Sequence, residues 1–133
     1  MLIPFLRRFL LDTNIVIALF AQEADVLAQL QQTVGIVLPS IVLGELYYGA
    51  GKSGRVGANV QRVDDFASQI DVLSCDLETA QQYGMIRESL RVKGKPLPEN
   101  DIWIAALALQ HNLILVSRDA HFNEIAGLNI VAW

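Results

Sequence analysis

One cysteine is too few for an internal disulfide, and its solitude fits a reducing compartment. Cys75 follows an apolar run and has no His-Asn or His-Asp context around it, so it reads as a small packed hydrophobe rather than a nucleophile. Charge is sparse as well. Charged residues make up 18% of the 133-residue chain and hydrophobic residues 53%, a balance that excludes disorder. No apolar stretch approaches the roughly 18 residues of a membrane span, so no membrane role is expected. Met1 to Phe5 is apolar, but Arg7 and Arg8 follow it instead of preceding it, which is the wrong order for a secretory signal. The expected location is the cytoplasm. No internal repeat or low-complexity tract is visible, and the length predicts one domain, 1–133, with a proper core.

What the chain does have is a strand ending used twice. Phe9-Leu10-Leu11 reads as a buried strand and stops on Asp12, followed by Thr13 and Asn14. Leu113-Ile114-Leu115-Val116 likewise runs into Ser117-Arg118-Asp119. In open α/β sheets ligands bind outside the carboxyl ends of the strands. Two strands delivering acids to one edge therefore point to a shared carboxylate site of metal-binding character.

Between these strands the pattern alternates. Helical spacing is read over Ile15 to Phe20 and over Asp25 to Val34, with Val26, Leu27, Leu30 and Val34 on one side. A strand Ile36–Leu38 follows, closed by Pro39, and Ser40 reads as the N-cap of a helix reaching about Gly51. Gly51 to Gly57 reads as a turn or mobile loop, and a helix from about Ala58 to Gln69 leads to the strand Val72–Ser74. Asp76 caps the next helix, which ends near Lys93, and Lys95–Pro98 is a rigid connector. Asn100 reads as the cap of a last helix from Asp101 to about His111, before strands Leu113–Val116 and Asn129–Ala132. Short continuous apolar strands alternating with helices imply a parallel sheet covered on both faces.

Each acid has a structural alternative. Taken alone, Asp12 reads better as a helix cap, and Asp119 likewise reads as part of an Asx turn. Asp101 opens a helix that is apolar on every side, so its charge lies near the interior and calls for a cationic neighbour. Glu45 is mid-helix among apolar residues, and its i+4 neighbour is Gly49, which leaves either ligand access or a place for close helix packing. The net charge of −4 is unfavourable for binding nucleic acid. Setting these four acids aside leaves ten against ten bases, and bound divalent ions offset the cluster further. His111 suits a helix C-terminus, and His121 reads as an exposed loop residue, not a ligand.

Leu10-Leu11-Asp12-Thr13-Asn14, Pro39-Ser40-Ile41-Val42-Leu43-Gly44-Glu45-Leu46 with Gly49, Asn100-Asp101-Ile102-Trp103-Ile104-Ala105-Ala106, and Ser117-Arg118-Asp119 with Phe122 together resemble the PIN domain. Within that family they are most similar to the VapC-type toxins of bacterial toxin–antitoxin pairs. The resemblance runs in order from Phe9 to Trp133, which leaves residues 1–8 as an N-terminal extension. It implies a three-layer α/β/α fold with about five parallel strands, and an Mg²⁺- or Mn²⁺-dependent endoribonuclease. It also implies an acidic quartet of Asp12, Glu45, Asp101 and Asp119. Asp12, Asp101 and Asp119 would hold metal, Glu45 would orient water or complete a second site, and Thr13, Asn14 and Ser117 would support them. The implied partners are RNA, a cognate antitoxin and a second copy of the chain. The homodimer also follows from Ile41, Leu43, Tyr47 and Tyr48, which surround one helix and cannot all face one core. Two other classes compete. An aspartyl-phosphate phosphatase would carry Asp-x-Asp at the first motif, where Asn14 stands here. A PIN-fold module that binds RNA or protein without cleaving it has no use for four mutually repelling acids.

Overall fold

In the computed structural model, which describes residues 8–133, five short strands form one parallel sheet. They are β1 (Phe9–Leu11), β2 (Ile36–Pro39), β3 (Asp71–Leu73), β4 (Ile114–Val116) and β5 (Ile130–Val131), arranged in space as β3-β2-β1-β4-β5. Helices α1 (Thr13–Phe20) and α2 (Ala24–Gln32) connect β1 to β2, and α3 (Ser40–Gly51) and α4 (Val56–Ser68) connect β2 to β3. The chain then returns across the sheet through α5 (Leu77–Lys93) and α6 (Glu99–Gln110) to reach β4. Right-handed crossovers in opposite directions place the two helix sets on opposite faces, which gives the three-layer α/β/α architecture. The reversal falls between β1 and β4, and a crevice opens there at the carboxyl ends of the strands.

Register carries that crevice to the acids. Leu10 lies beside Leu115 and Leu11 beside Val116. One step further, the Asp12 N–H donates to the Val116 carbonyl and the Ser117 N–H to the Val131 carbonyl, each at 3.0 Å. Asp12 and Ser117 therefore leave adjacent strands side by side. Beneath them Leu10, Leu11, Leu115 and Val116 are fully buried, as are Ile104 to Leu107 of α6.

Several local expectations are corrected. Pro39, not Ser40, occupies the cap position of α3, and Pro98, not Asn100, that of α6. In both cases the proline's extended ψ starts the helix without a side-chain cap. The expected Gly51–Gly57 loop shrinks to a turn at Lys52–Arg55, since α4 already begins at Val56. Val34 lies beyond the end of α2 and is 70% exposed. Cys75 is exposed, because β3 ends at Leu73 and the chain turns outward before α5. Asp76 does cap α5, in a reciprocal pair with Thr79, and Gly94 ends that helix in the left-handed conformation. Ile41, Leu43 and Tyr47 pack against the core, so of the four apolar residues expected to need a second surface only Tyr48, 71% exposed, stands out. The proposed N-terminal extension lies outside the described residues but for Arg8, which pairs with Asp71 at 3.7 Å.

Candidate metal centre at the sheet edge

Asp12 does two jobs. Its Oδ1 accepts from the Thr13 N–H at 2.8 Å and so caps α1, the role the sequence left open. Its Oδ2 faces the crevice and accepts from Ser117 Oγ at 2.7 Å and from Asn14 Nδ2 at 3.3 Å. The side chain is buried, and that burial pushes its carboxyl above the usual aspartate value. The Ser117 and Thr13 hydrogen bonds pull it back, while the nearby Asp119 charge raises it again. Ser117 also accepts from the Asp119 N–H at 3.0 Å, and Asn14 Oδ1 accepts from the Arg118 N–H at 3.3 Å. The two strand ends are thus laced together by small polar side chains. Arg118 itself points away, to Glu23 at 3.1 Å and to the Trp133 carbonyl at 3.0 Å.

Asp101 enters from the opposite layer, in the first turn of α6. Burial, followed by the charge of Asp12, pushes its carboxyl up to about 6, with His121 offsetting and Asp119 adding to the rise. Where a cationic neighbour was expected for Asp101 the structure places His121, whose Nε2 lies 2.9 Å from Asp101 Oδ2. That nitrogen is buried and its N–H is not aligned on the carboxylate, so the contact is close without being a formed hydrogen bond. His121 Nδ1 is 3.8 Å from Asp119 Oδ1. Among the described residues, Asp101, Asp119 and His121 bring ligand atoms within 4.8 Å of one another.

This trio differs by one member from the expected Asp12, Asp101 and Asp119. His121 was assigned to an exposed loop, and that expectation is corrected. Its segment is a short 3-10 helix, Ala120–Glu124, pinned by the fully buried Phe122, against whose ring the imidazole lies at 4.9 Å. The usable signal was an acid at a strand end followed two residues later by a histidine and then by an aromatic anchor. His111, in contrast, sits at the C-cap of α6 as expected.

Glu45, on α3, stands outside the Asp101–Asp119–His121 group and is linked to the strand end through Thr13. Its Oε2 accepts from Thr13 Oγ1 at 3.0 Å, which ties the α3 acid to the residue next to Asp12. A Cβ built at Gly49 would meet nothing within 4 Å. Of the two readings of that glycine, open space beside the acid is the one observed.

A crevice in which the α6 acid Asp101 and Asp119 after β4 meet His121, with an imidazole nitrogen lacking an aligned partner, suits a small divalent cation. The class defined by this fold and site is an α/β/α protein with an acid-rich centre at the switch point of a parallel sheet. The PIN domain family model matches residues 9–128, and the chain belongs to that family. It is 36% identical over 129 residues to ribonuclease VapC2 of Haemophilus influenzae, covering 95% of this chain and 98% of the relative. It is 35% identical to the tRNA(fMet)-specific endonuclease VapC of Shigella flexneri with the same coverage. The solved structure of DNA-bound VapBC from Salmonella typhimurium superposes with a TM-score of 0.90 at 32% identity, covering 96% and 98% of the two chains.

Proposed function

We propose that this chain is an Mg²⁺- or Mn²⁺-dependent endoribonuclease and the toxin of a toxin–antitoxin pair, acting in the cytoplasm as one nuclease domain. The observation that carries this reading is the approach of ligand atoms of Asp101, Asp119 and His121 to within 4.8 Å of one another, in a chain whose relatives are named ribonucleases. When bound, the ion supplies a more acidic water and charge neutralisation on the phosphate oxygens. The protein's own residues supply the rest. Asp12, Asp101 and Asp119 hold the ion, and Glu45, steadied by Thr13, orients the attacking water or completes a second ion position. Ser117 and Asn14 fix the Asp12 carboxylate so that it does not reorganise during the reaction. His121 packs against Asp101, with Nε2 2.9 Å from Oδ2.

The first RNA to test is initiator tRNA, since that is the specificity named for the Shigella flexneri relative. The partners in this reading are RNA, an antitoxin seated over the acid crevice, and a second copy of the chain, with exposed Tyr48 available to such contacts. Among the described residues no helix is long and apolar enough to cross a membrane. The test is cleavage of labelled tRNA by the purified protein in Mg²⁺, in Mn²⁺ and in EDTA, with Asp12→Asn as control. Metal-dependent internal cuts by the wild type alone support the reading. A wild type that binds RNA but leaves it intact identifies a non-catalytic module instead.

A further inference from the structure

Beside the acid crevice, between α1, α3 and α4, lies a cleft of ≈ 290 Å³. Thr13, Glu45, Ile17, Phe20, Gly49 and Arg62 are among the residues that line it. Ile17 is 56% exposed although it sits mid-helix, because the cleft takes the place of a packing partner. Phe20 is held edge-on by Phe66, with ring centres 5.6 Å apart at 87°, and the Arg62 guanidinium lies over its ring at 5.1 Å. Asn59 spends its amide donor on Ser53 Oγ at 2.9 Å, which leaves its carbonyl oxygen to accept from a guest.

The charges around this cleft differ from those elsewhere. Arg8, Arg87, Arg91, Lys93 and Arg118 each pair with a carboxylate. Among the described residues four cations join no ion pair, and three of them, Lys52, Arg55 and Arg62, lie on the α3–α4 hairpin, the fourth being Lys95 after α5. Lys52 lies instead over the Tyr48 ring at 4.8 Å. The nearest acids on α4 are engaged by neutral donors, Asp64 by Tyr47 at 2.5 Å and Asp65 by Gln61 at 2.8 Å. Arg62, free of any ion pair, thus lines a cleft that Glu45 lines as well, and Lys52 and Arg55 follow in the turn between its two helices.

We propose that this cleft is a nucleobase pocket. It receives the base of a nucleotide next to the scissile phosphate, sets that base against Arg62 and the Phe20 wall, and so biases where RNA is cut. The inference rests on the endoribonuclease reading and adds its specificity element. Three features select a nucleotide as occupant. The volume is at the lower end of ligand sites, which begin near about 300 Å³, and it suits one planar ring system rather than a length of chain. Guanidinium and aromatic faces are surfaces on which unstacked bases lie. The free cations attract a phosphate backbone leaving the acid crevice.

The test uses short oligoribonucleotides with a mapped cut site, each carrying one abasic nucleotide stepped outward from that site. With the wild type, one position adjacent to the cut loses about tenfold or more in kcat/KM, mostly through KM, and distant positions lose little. Gly49→Leu fills the cleft from an open helix position and favours the helix, so its melting temperature should be at or above that of the wild type. It should cleave the intact oligonucleotide as slowly as the wild type cleaves the adjacent-abasic one, with no further penalty from the abasic site. Arg62→Ala, an exposed change, should reduce the same penalty without shifting the melt. A wild type that cleaves RNA with a flat abasic profile overturns the pocket but leaves the nuclease reading intact. So does Gly49→Leu retaining the full penalty, including the case in which it loses only binding to a protein partner. A wild type that cleaves no RNA removes the nuclease reading, and the pocket assignment with it.

Discussion

Replacing Asp101 with Asn separates an acid that binds metal from one that serves its helix. The Asp101 side chain is 16% exposed, and burial plus the Asp12 charge pushes its carboxyl up to about 6 from an ordinary 3.8. Because the folded value is the higher one, the folded chain holds a proton longer as pH rises, and ionisation then costs the fold. That cost is absent below about pH 4, grows through about pH 6 and is constant above it. The full difference corresponds to about 3 kcal/mol. Relaxation and solvent at the open crevice reduce it to about 1–2 kcal/mol. An acid in a first helical turn returns only about 0.3–1 kcal/mol, so repulsion outweighs the helix-dipole term. For a domain of this length the balance amounts to roughly 3–5 °C in melting temperature. In EDTA near neutral pH, Asp101→Asn should therefore melt above the wild type, and the gain should vanish near pH 4. Mn²⁺ at ten times its dissociation constant should then add about 1.4 kcal/mol to the wild type and little to the variant. Differential scanning fluorimetry across pH, with and without Mn²⁺, reads all of this. A lower melting temperature for Asp101→Asn in EDTA, with neither protein responding to the ion, would refute the reasoning.

The other expectations concern the groups around that acid. The Mn²⁺-induced rise in wild-type melting temperature should shrink as pH falls through about 6, because metal must displace the proton held by Asp101; a pH-independent rise between about 5 and 7.5 would place the ion elsewhere. Ser117→Ala leaves Asp12 Oδ2 with only the longer Asn14 bond and should cost about 1–3 kcal/mol in urea denaturation, with loss of cleavage. Thr13→Val keeps the shape but frees Glu45, so cleavage should fall about 10–100-fold while the circular dichroism spectrum is unchanged. Phe122→Ala empties a fully buried site beneath His121 and should cost about 3–5 kcal/mol; a loss under about 1 kcal/mol would mean that the 3-10 segment is not anchored there.

The sheet was legible because its strands are short apolar runs between polar stops, and the acid at the end of β1 marked the edge of the candidate site. That rule pointed to Asp12 and Asp119, each of which also carried a local structural reading, and the family resemblance added Ser117. Helix starts were less legible. Ser40 and Asn100 carry capping chemistry, but the prolines before them already provide an extended cap, so the polar residues fall inside the helices. His121 was missed because its position depends on tertiary anchoring by Phe122, which a lone histidine in a loop does not advertise. Cys75 was misplaced for a related reason: an apolar run predicts burial only while the strand lasts, and β3 ends two residues earlier. The cleft beside Glu45 was visible only as Gly49, and its walls come from three helices that sequence spacing does not bring together.

The central claim is that acids from separate elements meet to hold the ion used in cleavage. Anomalous diffraction from crystals grown with Mn²⁺ tests it most directly. The expected result is a peak within about 2.0–2.4 Å of carboxylate oxygens from Asp101 and Asp119, with Asp12 bound directly or through a water. It should be absent from Asp12→Asn crystals grown in the same way. A wild-type crystal with no peak in the crevice, at a Mn²⁺ concentration that supports cleavage, would contradict the account.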